Sequence, residues 1–138
     1  MSRLRPNELQ LRVKGEIIVP GDAGYDEARQ VWNAMIDRRP ALIVRCAEAS
    51  DVPPAVAFAR EHHLDISIRG GGHNIAGTAV CDGGVVVDLS RMTAVSVDPQ
   101  RRRAIVQPGA TLAQVDVRPR RMGWPRPSGS TPPPASRA

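Results

Sequence analysis

Arg69-Gly70-Gly71-Gly72-His73-Asn74-Ile75-Ala76-Gly77 is the most informative stretch of this 138-residue chain. It follows a short apolar run, Ile66-Ser67-Ile68, which is typical of a β-strand. Glycines that end a strand have no Cβ, so their backbone can adopt positive φ and let a ligand approach its N–H groups. Successive N–H groups in such a turn form a concave site for a phosphate or diphosphate, and Arg69 would add a positive charge beside it. The sequence therefore predicts a cofactor site at residues 70–77, called the glycine loop below, with His73 at its rim.

A glycine-rich turn can also follow a strand that binds nothing, and a loop histidine is often merely solvated. The residues downstream favour a functional interpretation. A turn at Cys81-Asp82-Gly83-Gly84 precedes Val85-Val86-Val87-Asp88-Leu89, which is typical of a buried strand. Residues 95–98 and 104–107 predict two short antiparallel strands. Thr111 is a predicted N-cap for a following helix.

Three ordered motifs carry a resemblance: R-G-G-G-H-N-I-A-G, C-D-G-G-V-V-V-D-L-S-R-M and V-Q-P-G-A-T-L. From about residue 39 to about residue 116 the chain resembles the FAD-binding PCMH-type domain of the vanillyl-alcohol-oxidase and p-cresol-methylhydroxylase family. The nearest subgroup is the bacterial berberine-bridge-enzyme-like FAD-linked oxidoreductases. The resemblance implies an FAD site made of Arg69, Gly70, Gly71, Gly72, His73, Asn74 and Gly77.

The resemblance also implies that His73 is bonded covalently to the 8α-methyl carbon of the flavin. Histidine is suited to that role because it is largely neutral near pH 7, and only the neutral imidazole is a nucleophile. In the complete enzyme a small organic substrate would give hydride to the flavin, and oxygen would reoxidise the flavin. No catalytic residue is assigned in this chain. A metal site is the competing interpretation, but His62 and His63 are adjacent at a predicted helix end, where their side chains diverge.

The upstream residues predict an α/β (α+β) fold with a small parallel β–α–β sheet followed by antiparallel strands. Residues 25–39 are expected to form an amphipathic helix, Ala41-Leu42-Ile43-Val44 a strand, and Ser50 or Asp51 the start of the next helix. A parallel crossover would bring the glycine loop to the carboxyl end of its strand, where open α/β sheets bind ligands. The domain prediction is an N-terminal extension over 1–37, a partial FAD-binding domain over 38–116 and a disordered tail over 117–138.

Charge separates the tail from the rest of the chain. The chain has 19 basic and 14 acidic residues, and the tail holds five of the arginines and no acid, which leaves 14 of each sign in the first 116 residues. The tail also holds six of the 13 prolines, a density that no helix or sheet tolerates. A nucleic-acid-binding arm is one interpretation. The neutral body and the scarcity of aromatic residues argue against it.

A second interpretation of the tail comes from the genetic code. Degenerate codons for Val117 to Arg137, read one base out of register from the last base of the Asp116 codon, allow the product R-A-T-A-A-H-G-L-A-T-P-L-G-I-N-S-T-T-G-V-A. That string resembles the next segment of the same family. We therefore expect a one-base deletion near the Asp116 codon and a chain that is inactive as an enzyme on its own. Sequencing the locus tests this; an intact frame with no family-like sequence downstream contradicts it.

Two further expectations follow from composition. Two cysteines are too few for a disulfide framework, and no apolar run has the length of a membrane span, so the predicted location is cytoplasmic. FAD is the one predicted cofactor. A non-catalytic dinucleotide-binding fragment is the alternative function, and the sequence identifies neither a substrate nor an oligomeric state.

Overall fold

The structure is a computed structural model that describes residues 4–71 and 76–115. Two predicted features therefore fall outside the described residues: the middle of the glycine loop, residues 72–75, and the tail, which lies beyond residue 115. The described helices are α1 (Pro6–Gln10), α2 (Tyr25–Ala28) and α3 (Val52–Glu61), the last entered through a 3-10 turn at Ala49–Asp51. The strands are β1 (Glu16–Ile18), β2 (Leu42–Arg45), β3 (Ile66–Arg69), β4 (Val85–Asp88), β5 (Val95–Asp98) and β6 (Arg103–Val106).

Four of the strands form one mixed sheet in the order β1-β2-β4-β3. β4 pairs in parallel with both β2 and β3, and β1 pairs antiparallel with β2 at the opposite edge from β3. The chain passes from β2 through α3 to β3, so the predicted parallel crossover is confirmed, with β4 inserted between the two strands that it joins. β5 and β6 form a separate antiparallel pair, as predicted.

Apolar side chains cover both faces of the sheet. On one face Leu42, Val44, Val85 and Val87 pack with residues of α1 and α3. On the other face Ile43 and Val86 pack with residues of β1 and α2 and with Val80 (the group is Ile18, Tyr25, Ala28, Ile43, Val80 and Val86). All of β4 is buried, as its β-branched composition predicts for a central strand with both faces covered. Cys46 lies in the first of these clusters, where burial raises the pKa of its thiol to about 11.

The amphipathic helix predicted over residues 25–39 is wrong in extent. The helix ends at Ala28, and the chain continues to Pro40 without regular helix. One cause is local, because the Asn33 side chain accepts a hydrogen bond from the backbone N–H of Met35 at 3.1 Å and competes with the helical pattern. A second cause is tertiary, since the carbonyls of Gln30 and Arg38 accept bonds from arginine side chains.

Both predicted helix starts are present, with different capping chemistry. Asp51 occupies the N-cap position of α3, but its buried carboxylate accepts backbone N–H bonds from Lys14, Gly15 and Ala47. Burial raises the pKa of Asp51, and these backbone bonds outweigh it, so that its pKa lies below the ordinary value. Thr111 caps a helical turn at 112–115, because its hydroxyl accepts the N–H of Gln114 while the Gln114 side chain accepts the N–H of Thr111.

None of the helices in the described ranges is both long and apolar enough to cross a membrane.

Candidate functional site

Three charged residues end the three parallel strands in matching register. Arg45 ends β2, Arg69 ends β3, and both lie opposite Asp88, which ends β4 between them. Glu16 of β1 lies opposite Arg45 and pairs with it at 3.5 Å, so the charge alternates in sign across all four strands. This row marks the carboxyl edge of the parallel strands, from which the glycine loop departs. Ligands of open α/β sheets bind at such an edge.

Asp88 is the centre of the row. Its side chain is fully buried and its Oδ2 accepts hydrogen bonds from Nη2 of Arg69 at 2.5 Å and from Nε of Arg45 at 3.3 Å. Its Oδ1 accepts the backbone N–H of Ser90 at 3.0 Å. Burial raises the pKa of Asp88, but the bonds from Arg69 and Ser90 outweigh burial and hold its pKa below the ordinary value. The carboxylate is therefore charged at neutral pH and ties three strand ends together.

The Arg69 side chain is buried, whereas its predicted role requires an accessible one. The sequence predicts an accessible positive charge beside the phosphate, whereas the residue is 7% exposed and its guanidinium bonds to Asp88 and, at 3.0 Å, to the carbonyl of Gln30. The charge of its side chain is thus matched inside the protein. The assignment of Arg69 to cofactor binding stays a prediction, and only its backbone, at the start of the glycine loop, is placed to serve it.

The two described ends of the glycine loop both require glycine, for different reasons. A Cβ on Gly70 would lie 2.4 Å from the carbonyl oxygen of Pro108, so the two backbones approach too closely for any side chain. Gly77 has φ +71°, and a Cβ there would lie 2.7 Å from the Ile36 side chain. The predicted positive φ is therefore found at Gly77, while Gly70 permits a close contact. Gly71 is exposed at the beginning of the loop.

Gly72, His73 and Asn74, the other predicted cofactor residues, lie outside the described residues. Their assignment stays a prediction, and the structure shows only where the loop containing them begins and ends.

Sequence reasoning missed a third backbone segment at this edge, the one that follows β6. Pro108 and Gly109 follow β6, and a Cβ on Gly109 would lie 2.3 Å from the carbonyl oxygen of Leu89 and 2.6 Å from that of Ser90. The N–H of Gly109 also donates to the carbonyl of Met92 at 2.9 Å. The exits of β3, β4 and β6 thus meet backbone against backbone. The signal was the Q-P-G-A segment of the third motif, which sequence analysis used for the family resemblance without assigning it to the cofactor site.

The remaining histidines and cysteine do not extend this site. His62 forms the C-cap of α3 and its ring lies 4.4 Å from that of Phe58. The sulfur of Cys81 lies 3.4 Å from the hydroxyl of Ser67. Ser67 is within β3, so Cys81 lies beside that strand and not at the glycine loop. Within residues 4–71 and 76–115, no group of three or more His, Cys, Asp or Glu side chains is arranged to hold a metal ion.

Comparison with known proteins identifies the family of the chain. A family model described as an FAD binding domain matches residues 40–136, well over half of the chain and all of the glycine loop. The chain belongs to this FAD-binding domain family. Its FAD-binding fold also agrees with the resemblance drawn from the three sequence motifs.

Relatives of this FAD-binding domain are oxidases and oxidoreductases. The (R)-6-hydroxynicotine oxidase of Paenarthrobacter nicotinovorans is 41% identical over 99 residues, which are 72% of this chain and 22% of that protein. The crystal structure of 6-hydroxy-D-nicotine oxidase from Arthrobacter nicotinovorans superposes with a TM-score of 0.77 at 37% identity, over 82% of this chain and 25% of that one. The structure of Physcomitrella patens BBE-like 1 superposes with a TM-score of 0.68 at 25% identity, over 74% of this chain and 22% of that one.

The chain therefore spans about a quarter of the length of these relatives. The family match also continues past residue 116 to residue 136, through most of the segment that sequence analysis interprets as out of frame. The domain boundary at 116 stays a prediction.

Proposed function

We propose that this chain holds FAD in the glycine loop and contributes that site to an FAD-linked oxidoreductase. The observation that carries the proposal is the position of the loop, inside the FAD-binding family match and at the carboxyl edge of the parallel strands. The described residues fit a dinucleotide cofactor. Glycines at 70 and 109 let the exits of β3, β4 and β6 pack backbone against backbone, and Gly77 fits beside Ile36 at the end of the loop. The central carboxylate, Asp88, is neutralised by two arginines, so it would not repel a diphosphate bound at this edge.

FAD supplies the redox chemistry, which is acceptance of hydride from an organic substrate and return of the electrons to oxygen. The share of this chain is binding and orientation. Backbone N–H groups of the glycine loop would face the diphosphate, and the strand ends behind them would keep the loop rigid. No residue of this chain is assigned to proton transfer on the substrate, and turnover is not expected from the chain as it stands.

His73 would fasten the flavin covalently, as the family resemblance implies. Formation of the bond replaces one C–H of the 8α-methyl group and one N–H of the imidazole with a C–N bond. The flavin would itself be the oxidant for this step, with oxygen as the final acceptor of the two electrons and two protons. Only the neutral imidazole is a nucleophile, so formation of the bond requires His73 in its uncharged form.

The test of His73 uses the complete gene, with the reading frame after the Asp116 codon restored if sequencing finds the expected one-base deletion. Expressed with FAD and precipitated in acid, the wild-type product is expected to keep flavin fluorescence on the denatured polypeptide, and His73→Ala is expected to lose it. His63→Ala is the matched control, because His63 lies in the turn after α3 and outside the loop. Equal fluorescence in His73→Ala, or none in the wild type, would contradict the covalent assignment. The second outcome would favour the non-catalytic dinucleotide-binding alternative. The cytoplasmic location and the lack of a nucleic-acid partner stay predictions from sequence.

A further inference from the structure

One segment of the chain contacts both ends of the glycine loop. This segment, residues 29–38, is called the frame segment here. At the start of the loop, the carbonyl of Gln30 accepts a hydrogen bond from Nη1 of Arg69 at 3.0 Å. At the end of the loop, Nη1 of Arg38 donates to the carbonyl of Gly77 at 3.2 Å and to that of Val80 at 2.9 Å. Each of these contacts joins residues about 40 positions apart in sequence.

The frame segment is itself held closed. Arg29, whose side chain is 14% exposed, pairs with Asp26 on α2 at 2.8 Å and with Asp37 near the other end of the segment. It also donates to the carbonyl of Arg38. The hydrogen bond from Arg29 lowers the pKa of Asp37, so this closing pair is charged at neutral pH. Because its ends are tied to each other, the segment is suited to set the spacing between the two ends of a loop.

Packing supports the same conclusion at the loop end. The Ile36 side chain fills the space where a Cβ of Gly77 would lie, with atoms 2.7 to 2.9 Å from that position. Gly77 is buried, and its left-handed backbone is held between Ile36 and the Arg38 guanidinium. A carbonyl that bonds to a fixed guanidinium cannot rotate freely, which fixes the peptide plane on that side of the loop.

We propose that Arg38 is a positioning residue, which fixes the loop end at Gly77 while Arg69 fixes the loop start, so that the frame segment sets the spacing between the two ends of the loop that binds FAD. This inference rests on the proposed function. A loop whose ends are preorganised loses less conformational entropy when it binds a ligand. Arg38 acts through the loop backbone, and its own charge is directed at carbonyl oxygens of the protein.

Arg38→Met is the variant that tests the inference, because it removes the two bonds to the loop end without leaving a buried carboxylate unpaired. Arg39→Met is the matched control, since it makes the same change of charge and side chain one residue away, at an exposed position. FAD binding to each full chain is measured by equilibrium dialysis. Loss of bonds of this kind is expected to raise the Kd of Arg38→Met about tenfold. The Kd of Arg39→Met is expected to stay within about twofold of the wild-type value. Arg38→Lys keeps one donor group, so its Kd should fall between those of the wild type and Arg38→Met.

A second measurement separates positioning from general instability. Amide hydrogen exchange without FAD is expected to rise about tenfold over residues 70–77 in Arg38→Met and to stay unchanged in β2 and β4. If Arg38→Met has the same exchange rates over residues 70–77 and the same Kd for FAD as the wild type, the inference is overturned while the proposed function stands. If Arg38→Met unfolds, Arg38→Lys replaces it in both measurements. A wild-type chain that binds no FAD contradicts the proposed function, and then an unchanged exchange pattern at 70–77 overturns the positioning role as well.

Discussion

Replacing Asp88 with alanine is expected to reduce the free energy of unfolding by about 3–5 kcal/mol, the range found when one partner of a buried ion pair is removed. Asp88 is 0% exposed and accepts bonds from two arginines. Without it, Arg69 and Arg45 would face each other across a gap, with side chains only 8% and 21% exposed. The buried Arg69 charge would lose its partner and face the partly buried Arg45 charge, where water hydrates it poorly, so the carboxyl edge should open. Urea unfolding followed by circular dichroism measures the loss.

The control for Asp88→Ala is Asp26→Ala. Asp26 also pairs with an arginine, at 2.8 Å, but its side chain is 75% exposed. Arg29 is only 14% exposed, but it keeps Asp37 as a second partner, so losing the exposed Asp26 carboxylate is expected to cost at most about 1 kcal/mol. The double variant with Asp88→Leu and Arg69→Met removes both buried charges and is expected to recover part of the loss. Equal unfolding energies for Asp88→Ala and Asp26→Ala would show that the buried row does not hold the edge.

The same carboxylate predicts how stability depends on pH. The pKa of Asp88 is lowered in the folded chain, so its contribution is complete above the unfolded value of about 3.9 and is lost as the pH falls through the lower folded value. The wild type should therefore lose unfolding free energy more steeply than the double variant below about pH 5. Asp51, whose pKa is also lowered, is present in both proteins and cancels in the comparison.

The strand core was predictable because composition alone specifies it. Val85, Val86 and Val87 form a β-branched run, which suits a central strand buried on both faces, and the structure buries all three. The antiparallel pair at β5 and β6 was likewise visible from two short runs and a polar connection. These are local signals, carried by residues that are neighbours in sequence.

The orientation of β3 was beyond sequence reasoning. Alternation of apolar and polar residues would direct Ile66 and Ile68 toward the core, yet they are 38% and 61% exposed, whereas Ser67 and Arg69 are buried. The side chain that decides the orientation is Arg69, because its partner Asp88 lies on the neighbouring strand in register. Arg69 and Asp88 are 19 positions apart and meet only after the sheet has formed, so no local sequence pattern predicts this pair.

The contacts that shape the candidate site are also long-range. The glycine loop was found from its own residues, since consecutive glycines are a local signal. Its supports were missed because Arg38 lies in a segment without a motif, and because the motif that contains Pro108 gives no sign that it contacts the glycine loop. The predicted helix over 25–39 failed for the same reason, as arginine bonds to backbone carbonyls override the local helical preference.

Gly109→Ala is expected to reduce the free energy of unfolding by about 1–3 kcal/mol or more, as overpacking of a closely packed site does. The added Cβ would lie 2.3 Å from the carbonyl oxygen of Leu89 and 2.6 Å from that of Ser90, and both are backbone atoms that cannot rotate away. The segment after β6 would have to move off the segment after β4. Pro108 would move with it, and its carbonyl oxygen lies only 2.4 Å from the position of a Cβ on Gly70.

The displacement caused by Gly109→Ala should therefore weaken FAD binding as well as stability, although residue 109 is not one of the predicted cofactor residues. Gly24→Ala provides the comparison, because Gly24 has φ −94° and no atom lies within 4 Å of its Cβ position. Urea unfolding gives the free energy of unfolding, and equilibrium dialysis gives the Kd for FAD. Both should be close to the wild-type values in Gly24→Ala, whereas Gly109→Ala should have a lower free energy of unfolding and a higher Kd. A Gly109→Ala chain with wild-type stability and affinity would mean that the β6 exit does not support the glycine loop.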